Sequence, residues 1–312
     1  MLGFSATANA SQLLERNPRH VTLAVNKSGT ALITYQRQNG QTMHVLAWGA
    51  VNARLRPARR GAPQVKFKID YSGGWGSHHH HLVWKHFKNV CQPYDGPKLD
   101  WFVAACKAPN GSYWALQSWQ TALPDLGFTP WLPMQSTWWL HLSHWTGPLA
   151  KLDVYNDWVY NGRWQELFGR YTYLGVGIRG FNTTHYGAPT DGYGRLLYLD
   201  THNSRYGKGW KRENSFVSHG PPGMFCYGFY PFDPYVNGYA HPRGTPHHKR
   251  GPGTGDAYRI TVEGPGVTPD VMWQGLGLHP YNRNNANDVS YEHQMNATLD
   301  SIRGGWHKCT HH

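Results

Sequence analysis

The sequence predicts an all-β protein, sandwich-like and rich in loops, with one short helix near the C-terminus. Three features point there. Aromatic side chains make up 14% of the chain and charged ones 15%, while Gly and Pro number 36 and 21. That mixture suits short strands joined by ordered turns rather than a helical bundle or a disordered polymer. Apolar and polar residues alternate with a period of two in one segment after another, the spacing of strands with one buried face. Only one stretch keeps a helical spacing. At 312 residues there is ample apolar material for a large core. No run approaches the roughly 18 apolar residues of a membrane-crossing helix.

The elements follow in chain order. Residues 1–18 read as a leader remnant or flexible N-terminus, because Ala8-Asn9-Ala10 has the small-residue pattern of a signal-peptidase site just after the apolar Leu2–Phe4. Residues 19–312 read as one large β-rich domain, opening with a basic β-meander subdomain at 19–71. In "HVTLAVNKSGTALITYQRQNGQTMHVLAWGAV" three β-rich runs are divided by the turn formers of "NKSG" and "RQNGQ". A basic link, "ARLRPARRGAP", leads to "QVKFKIDY", where Val65, Phe67 and Ile69 alternate with Lys66, Lys68 and Asp70 as in a half-buried strand. In "SGGWGSHHHHLVWKHF" the apolar residues after the histidines predict that His78–His81 enter a strand. "WFVAACKAPNGSYWALQSW" predicts a hairpin turning at Pro109-Asn110-Gly111. Further strands are expected in "TWWLHLSHW", "AKLDVYNDWVY", "LFGRYTYLGVGI", "RLLYLD", "MFCYGFY" and "AYRITVEG". The helix is capped by Asp288, presents Met295, Leu299 and Ile302 on one face, and stops at Gly304-Gly305.

Charge is unevenly spread. Ten Lys or Arg lie between Arg16 and Lys68 with no acid among them, so this stretch holds most of the net charge of +12. Such a concentration attracts anionic polymers. The four cysteines, Cys91, Cys106, Cys226 and Cys309, form no C-x-x-C pair. They are therefore read as disulfides, Cys91–Cys106 and Cys226–Cys309, in a secreted protein.

The chemistry-bearing residues are few. On a strand His79 and His81 would share a face and could begin a Zn or Cu site, but the next position on that face is Val83, so no metal is expected. Gly175, Gly177 and Gly180 match a dinucleotide-binding outline with Asp200 twenty residues later. The residues between Phe181 and Gly194 are loop formers, however, and the helix such a site needs is missing. No cofactor is expected. Asp153, Asp157 and Glu166 are the candidate acid–base residues. Asp153 and Asp157 would stand about 13 Å apart along one strand, too far for a glycosidase pair. Either would need a carboxylate from elsewhere, such as Glu166 or Asp200.

Aromatics provide the ligand-binding candidates. In "TWWLHLSHW" Trp138, Leu140, Leu142 and His144 make a core face. Trp139, His141, Ser143 and Trp145 make a second face that combines flat apolar surface with hydrogen-bonding groups, as a sugar ring requires. The loop "DTHNSRYGKGWKRENSF" adds Arg205, Trp210 and Arg212, with the arginines able to grip a carboxylate or phosphate. The leading expectation is a secreted, disulfide-stabilised protein that binds a polysaccharide or polyanionic surface polymer. The alternatives are an extracellular polysaccharide hydrolase using carboxylates and a nucleic-acid-binding protein, the last disfavoured by the cysteines and the leader.

Overall fold

The computed structural model describes residues 11–53, 65–122, 136–159, 164–178, 182–183, 189–190, 197–202, 210–212, 215–220, 223–229, 239–240, 249–250 and 255–303. These residues build several antiparallel sheets and a single α-helix. The first strand, β1 (Gln12–Arg16), already departs from expectation: this part of the supposed leader is structured and pairs with a strand more than a hundred residues later.

The meander forms as its turn chemistry dictates. β2 (Arg19–Val25), β3 (Ala31–Gln36) and β4 (Thr42–Trp48) are joined by turns in which Gly29 and Gly40 take φ values of 79° and 85°, open to glycine at no steric cost. The Asn26 carboxamide fixes the first turn by accepting the amides of Ser28 and Thr30. β5 (Lys68–Asp70) adds to the β4 edge but is only three residues long. A 3-10 turn spans Val83–His86.

β6 (Gln92–Pro93), β7 (Phe102–Lys107), β8 (Tyr113–Ala122) and β9 (Ser136–Trp145) complete a second sheet in the order β1-β9-β8-β7-β6. The β7–β8 hairpin turns where Asn110-Gly111 predicts, with Gly111 at φ 83°. The two sheets pack face to face, Val25, Ile33, Tyr35 and Val45 against Trp114, Leu116, Leu140 and Leu142, and all eight are sealed from solvent. A disulfide between Cys91 and Cys106, with Cα atoms 5.7 Å apart, ties the sheet to the segment that enters it.

The second half repeats the plan. β10 (Lys151–Val159), β11 (Trp164–Tyr173) and β12 (Val176–Gly177) are followed by a two-residue pairing of β13 (Asn182–Thr183) with β14 (Pro189–Thr190). That pairing lies where a dinucleotide fold would need its helix. Next come β15 (Leu197–His202), β16 (Trp210–Arg212), β17 (Ser215–Gly220) and β18 (Met224–Phe229). β19 (Tyr239–Ala240) and β20 (Lys249–Arg250) form a short ladder before β21 (Ala257–Val262) and β22 (Val271–Leu276). Sheet β10-β11-β18-β17 buries Leu167, Tyr171 and Phe225 against Leu199, Tyr258 and Ile260 of sheet β16-β15-β21-β22.

The helix α1 (Ala286–Arg303) lies on the outer face of β10-β11-β18-β17, where Met295 and Leu299 meet Phe168, Met224 and Cys226, with Ile302 at the margin. Its apolar face is the expected one, but its cap is not. Asn285 accepts the Asn287 amide at 3.0 Å, while Asp288 sits inside the first turn and accepts from the Asn282 amide. The loop from Asn282 to Asn285 offers three asparagines, a residue type that caps as well as aspartate. Cys226 also stands in a disulfide; Cys309 lies outside the described residues, as do Gly304 and Gly305.

Candidate functional site

Of the candidate acid–base residues, the fold brings two together. Alternation along β10 and β11 sends Val154 and Leu167 into the sandwich core and leaves Asp157 and Glu166 on the face that carries Tyr155 and Phe168, under α1. In the antiparallel register Asp157 stands directly opposite Glu166. Directly opposed residues hold their Cβ atoms about 4.5–5.5 Å apart. On its other side Glu166 faces Gly228, which carries no side chain. Asp153 does not join them. It pairs with Lys151 at 3.0 Å on an exposed stretch of β10.

The environment keeps protons on this pair. Asp157 is only 4% exposed; burial, opposed by its bond from the Trp158 amide and aided by the charge of Glu292 on α1, pushes it up to about 7. Burial, with the Asp157 charge beside it, pushes Glu166 up to about 8. Tyr281 donates to Glu292 Oε2 at 2.7 Å, and that bond, with burial and the nearby carboxylates, drives the phenol up to about 12. Trp158 closes the edge, donating to the His279 carbonyl at 2.8 Å and packing on Tyr281 and Tyr291. Chemically, Asp157 and Glu166 hold their protons into the neutral range and give them up above it.

The aromatic face expected to hold a ligand is interior. His141 is 1% exposed and Trp145 is sealed, while Trp139 is half-buried beneath the Arg16 guanidinium, 5.7 Å from its ring. The correction has a simple cause: β9 is flanked by β1 and β8, and both of its faces are covered, one by the meander and the other by residues 263–270. Period-two alternation separates two faces but does not say that either meets water. Trp138, assigned to the core, is instead 46% exposed.

A serine, a histidine and an aspartate meet there, though not as a nucleophilic triad. Ser11 Oγ lies 2.7 Å from His141 Nδ1 and donates to Asp270, whose other oxygen is 3.2 Å from the same ring nitrogen. A triad needs nucleophile and carboxylate on opposite ring nitrogens, and none of the three is more than 1% exposed. Asp270 also accepts from Trp119 Nε1 and the Gly264 amide, both at 2.9 Å, and Gln117 bonds its backbone on both sides. The cluster bolts the two halves of the molecule together.

Trp210 is not a loop residue but opens β16, and the Arg259 guanidinium sits 4.9 Å from its ring while bonding Asp200. Arg212 closes the same strand opposite Asp200. Arg205 lies outside the described residues.

The histidine run is the other departure. His78–His81 form a series of tight turns, not a strand, with His79 and His80 at φ 49° and 68°. Among the described residues no three His, Cys, Asp or Glu side chains come close enough to hold a metal, and His79 and His81 have no further ligand beside them. The whole segment Tyr71–His86 is ordered on the outer face of β4. Asp70 anchors it: Ser72 and Ser77 donate to its carboxylate, and although burial alone would raise it, those bonds hold it below the usual aspartate range. Trp84 stacks on His44 at 3.8 Å. Gly74, at φ 110°, admits the crossing of Val83 and His81, whose atoms a Cβ would meet at 2.6 and 2.7 Å.

What the segment leaves outside is Tyr71, Trp75 and the histidines. Trp75 is 51% exposed with the His80 ring edge-on at 4.7 Å, and His78 leans on Trp48. Sequence reasoning missed Tyr71 and Trp75 although the signal was present: "SGGWGS" is five turn formers around one tryptophan, a pattern that outweighs the apolar residues after the histidines.

Along the chain from Arg16 to Tyr94, Arg16, Arg19, Lys27, Lys66, Lys68, Lys85 and Lys88 are exposed, and the one acid in that stretch is the buried Asp70. Comparison with protein families, curated proteins and solved structures finds no match for the chain.

Proposed function

We propose that the protein is exported and binds an anionic polysaccharide of a cell surface or matrix, through the cationic side of its first sheet. The observation behind this reading is the absence of any exposed carboxylate from Arg16 to Tyr94 beside seven exposed lysine and arginine side chains among the described residues. A surface of one sign draws in a polyanion over several ångströms and releases its counterions on contact. The Cys91–Cys106 disulfide fits an oxidising compartment, and no described helix is long and apolar enough to cross a membrane. The test is retention on immobilised polygalacturonate, a carboxylated polymer, against neutral dextran at rising salt. Selective retention on polygalacturonate that falls with salt is expected; equal behaviour on both removes the reading.

A further inference from the structure

Two hairpins of the first sandwich turn on one backbone design. Between β3 and β4, Gly40 donates to the Arg37 carbonyl at 2.9 Å, Arg37 to that of Gln41 at 2.8 Å, and the Gln41 amide to Asn39 Oδ1 at 3.0 Å. Between β7 and β8, Gly111 donates to the Ala108 carbonyl at 2.9 Å, Ala108 to that of Ser112 at 2.8 Å, and the Ser112 amide to Asn110 Oδ1 at 3.0 Å. Gly40 and Gly111 take φ values of 85° and 83°, with nothing within 4 Å of the Cβ either would carry. Both asparagines are exposed. In an Asn-Gly pair the glycine nitrogen is the nucleophile nearest the side-chain carbonyl carbon, and no side chain of its own shields it.

The two turns differ in what else reaches the asparagine. Asn39 Oδ1 accepts the Gln41 amide alone, whereas Asn110 Oδ1 also receives the Ser112 hydroxyl at 2.7 Å. That serine is 1% exposed, and its oxygen lies 2.8 Å from His144 Nε2. On the far side of the ring, His144 Nδ1 lies 3.0 Å from the Gly49 carbonyl. A carbonyl only accepts, so Nδ1 carries the proton and Nε2 of the neutral ring is a lone pair. Burial pushes the His144 pKa down and keeps the ring neutral. Trp114 stacks on it at 3.8 Å, and its backbone amide is held by the Val267 carbonyl at 2.8 Å. The single hydroxyl hydrogen of Ser112 therefore has two acceptors, Nε2 and Asn110 Oδ1. Charge gathering on Oδ1 draws the hydrogen towards it, so this bond is stronger during attack on Asn110 Cγ than in the resting turn.

We propose that Asn110 is a site of self-modification, where the Gly111 nitrogen attacks Asn110 Cγ and Ser112 stabilises the oxyanion through its amide and its hydroxyl. The new N–Cγ bond forms as the Gly111 amide proton passes to water. The Cγ–Nδ2 bond then breaks, and ammonia leaves with a proton returned from water. The five-membered imide takes up one water at either carbonyl, leaving aspartate or isoaspartate. In sum, one water hydrolyses one amide, and an exposed turn gains one negative charge. Attack requires Gly111 to leave the Ala108 carbonyl, as Gly40 would have to leave that of Arg37; this cost is common to both turns and cancels between them.

The experiment incubates the folded full chain at neutral pH and follows each asparagine by peptide mapping, as a gain of about one mass unit and as isoaspartate. The same mapping separates the further pairs Asn161-Gly162 and Asn237-Gly238, which lie outside the described residues. Asn110 should convert about tenfold faster than Asn39 in the folded protein, the worth of one added hydrogen bond to the oxyanion. In urea, where only the neighbouring sequence acts, the two rates should converge. Ser112→Ala should bring Asn110 down to the Asn39 rate and leave Asn39 unchanged, which also reports an intact fold. Equal rates in the folded wild type, or a slower Asn110, overturn the proposal without any variant having to fold. A gap that persists in urea or in folded Ser112→Ala overturns it too, because the rate would then belong to the local sequence and not to the built turn.

Discussion

Removing the charge of Asp157 should make the protein more stable at mildly alkaline pH. Both carboxyls of the Asp157–Glu166 pair bind protons more tightly folded than unfolded, at about 7 and about 8. The unfolded chain therefore gives up its protons first as pH rises. Stability is whole below about pH 4, the range where free carboxyls titrate, and is lost as pH climbs through about 7 to 8. For Asp157 alone, moving from the model-compound value of 3.8 to about 7 corresponds to about 4 kcal/mol at about 1.4 kcal/mol per pH unit. The two carboxyls titrate as a pair, so their contributions do not add, and about 2–4 kcal/mol is the expected gain. Asp157→Asn is the clean perturbation, because the carboxamide oxygen can still accept the Trp158 amide that now lies 2.7 Å from Oδ1. Urea unfolding of wild type and variant should give similar midpoints at about pH 4 and a higher midpoint for the variant at about pH 8, with a flatter profile between. Glu15 and Asp70, which burial alone would raise but whose hydrogen bonds hold them low, act in the opposite sense and only in the more acidic range. Equal stabilities at pH 8 would refute the placement of these two acids side by side.

Other perturbations follow from the packing. Replacing Cys91 and Cys106 by alanine should cost about 3 kcal/mol in urea unfolding, the value for a closed loop of this length, with a separation of 15 residues. Trp145→Ala should cost about 3–5 kcal/mol and Trp138→Ala under about 0.5, since the first is sealed and the second 46% exposed. Thermal unfolding separates the two; equal effects would contradict the assignment of faces on β9. Asp270→Ala strands Trp119, Ser11 and His141 without their shared acceptor, and a loss of about 3–5 kcal/mol is expected by the same measurement.

Local chemistry was legible in the sequence and long-range pairing was not. The β2–β4 meander, the Asn110-Gly111 hairpin and the apolar face of α1 were all readable because turn residues and periodicity act over a few positions. The pairing of β1 with β9, which sets Gln12 opposite Leu142, has no local signal. Nor does the burial of Trp145, which depends on Leu99 and its neighbours rather than on β9 itself. The Asp157–Glu166 site was half visible: the residues could be named, and the separation of Asp153 from Asp157 on one strand was clear, but the partner came from the register of a second strand. In the histidine segment the turn-forming glycines override the strand preference of the apolar residues that follow the histidines.

The Asp270 bolt has a consequence for synthesis. Strands β8 and β9 leave the ribosome with Gln117, Trp119 and His141 lacking their cover, and that cover is not made until residue 270 has been translated. A shortened chain ending near residue 150 would carry a permanently open, tryptophan-bearing flank and should clump rather than mature. The first half of the intact product is therefore sealed only once residue 270 has emerged.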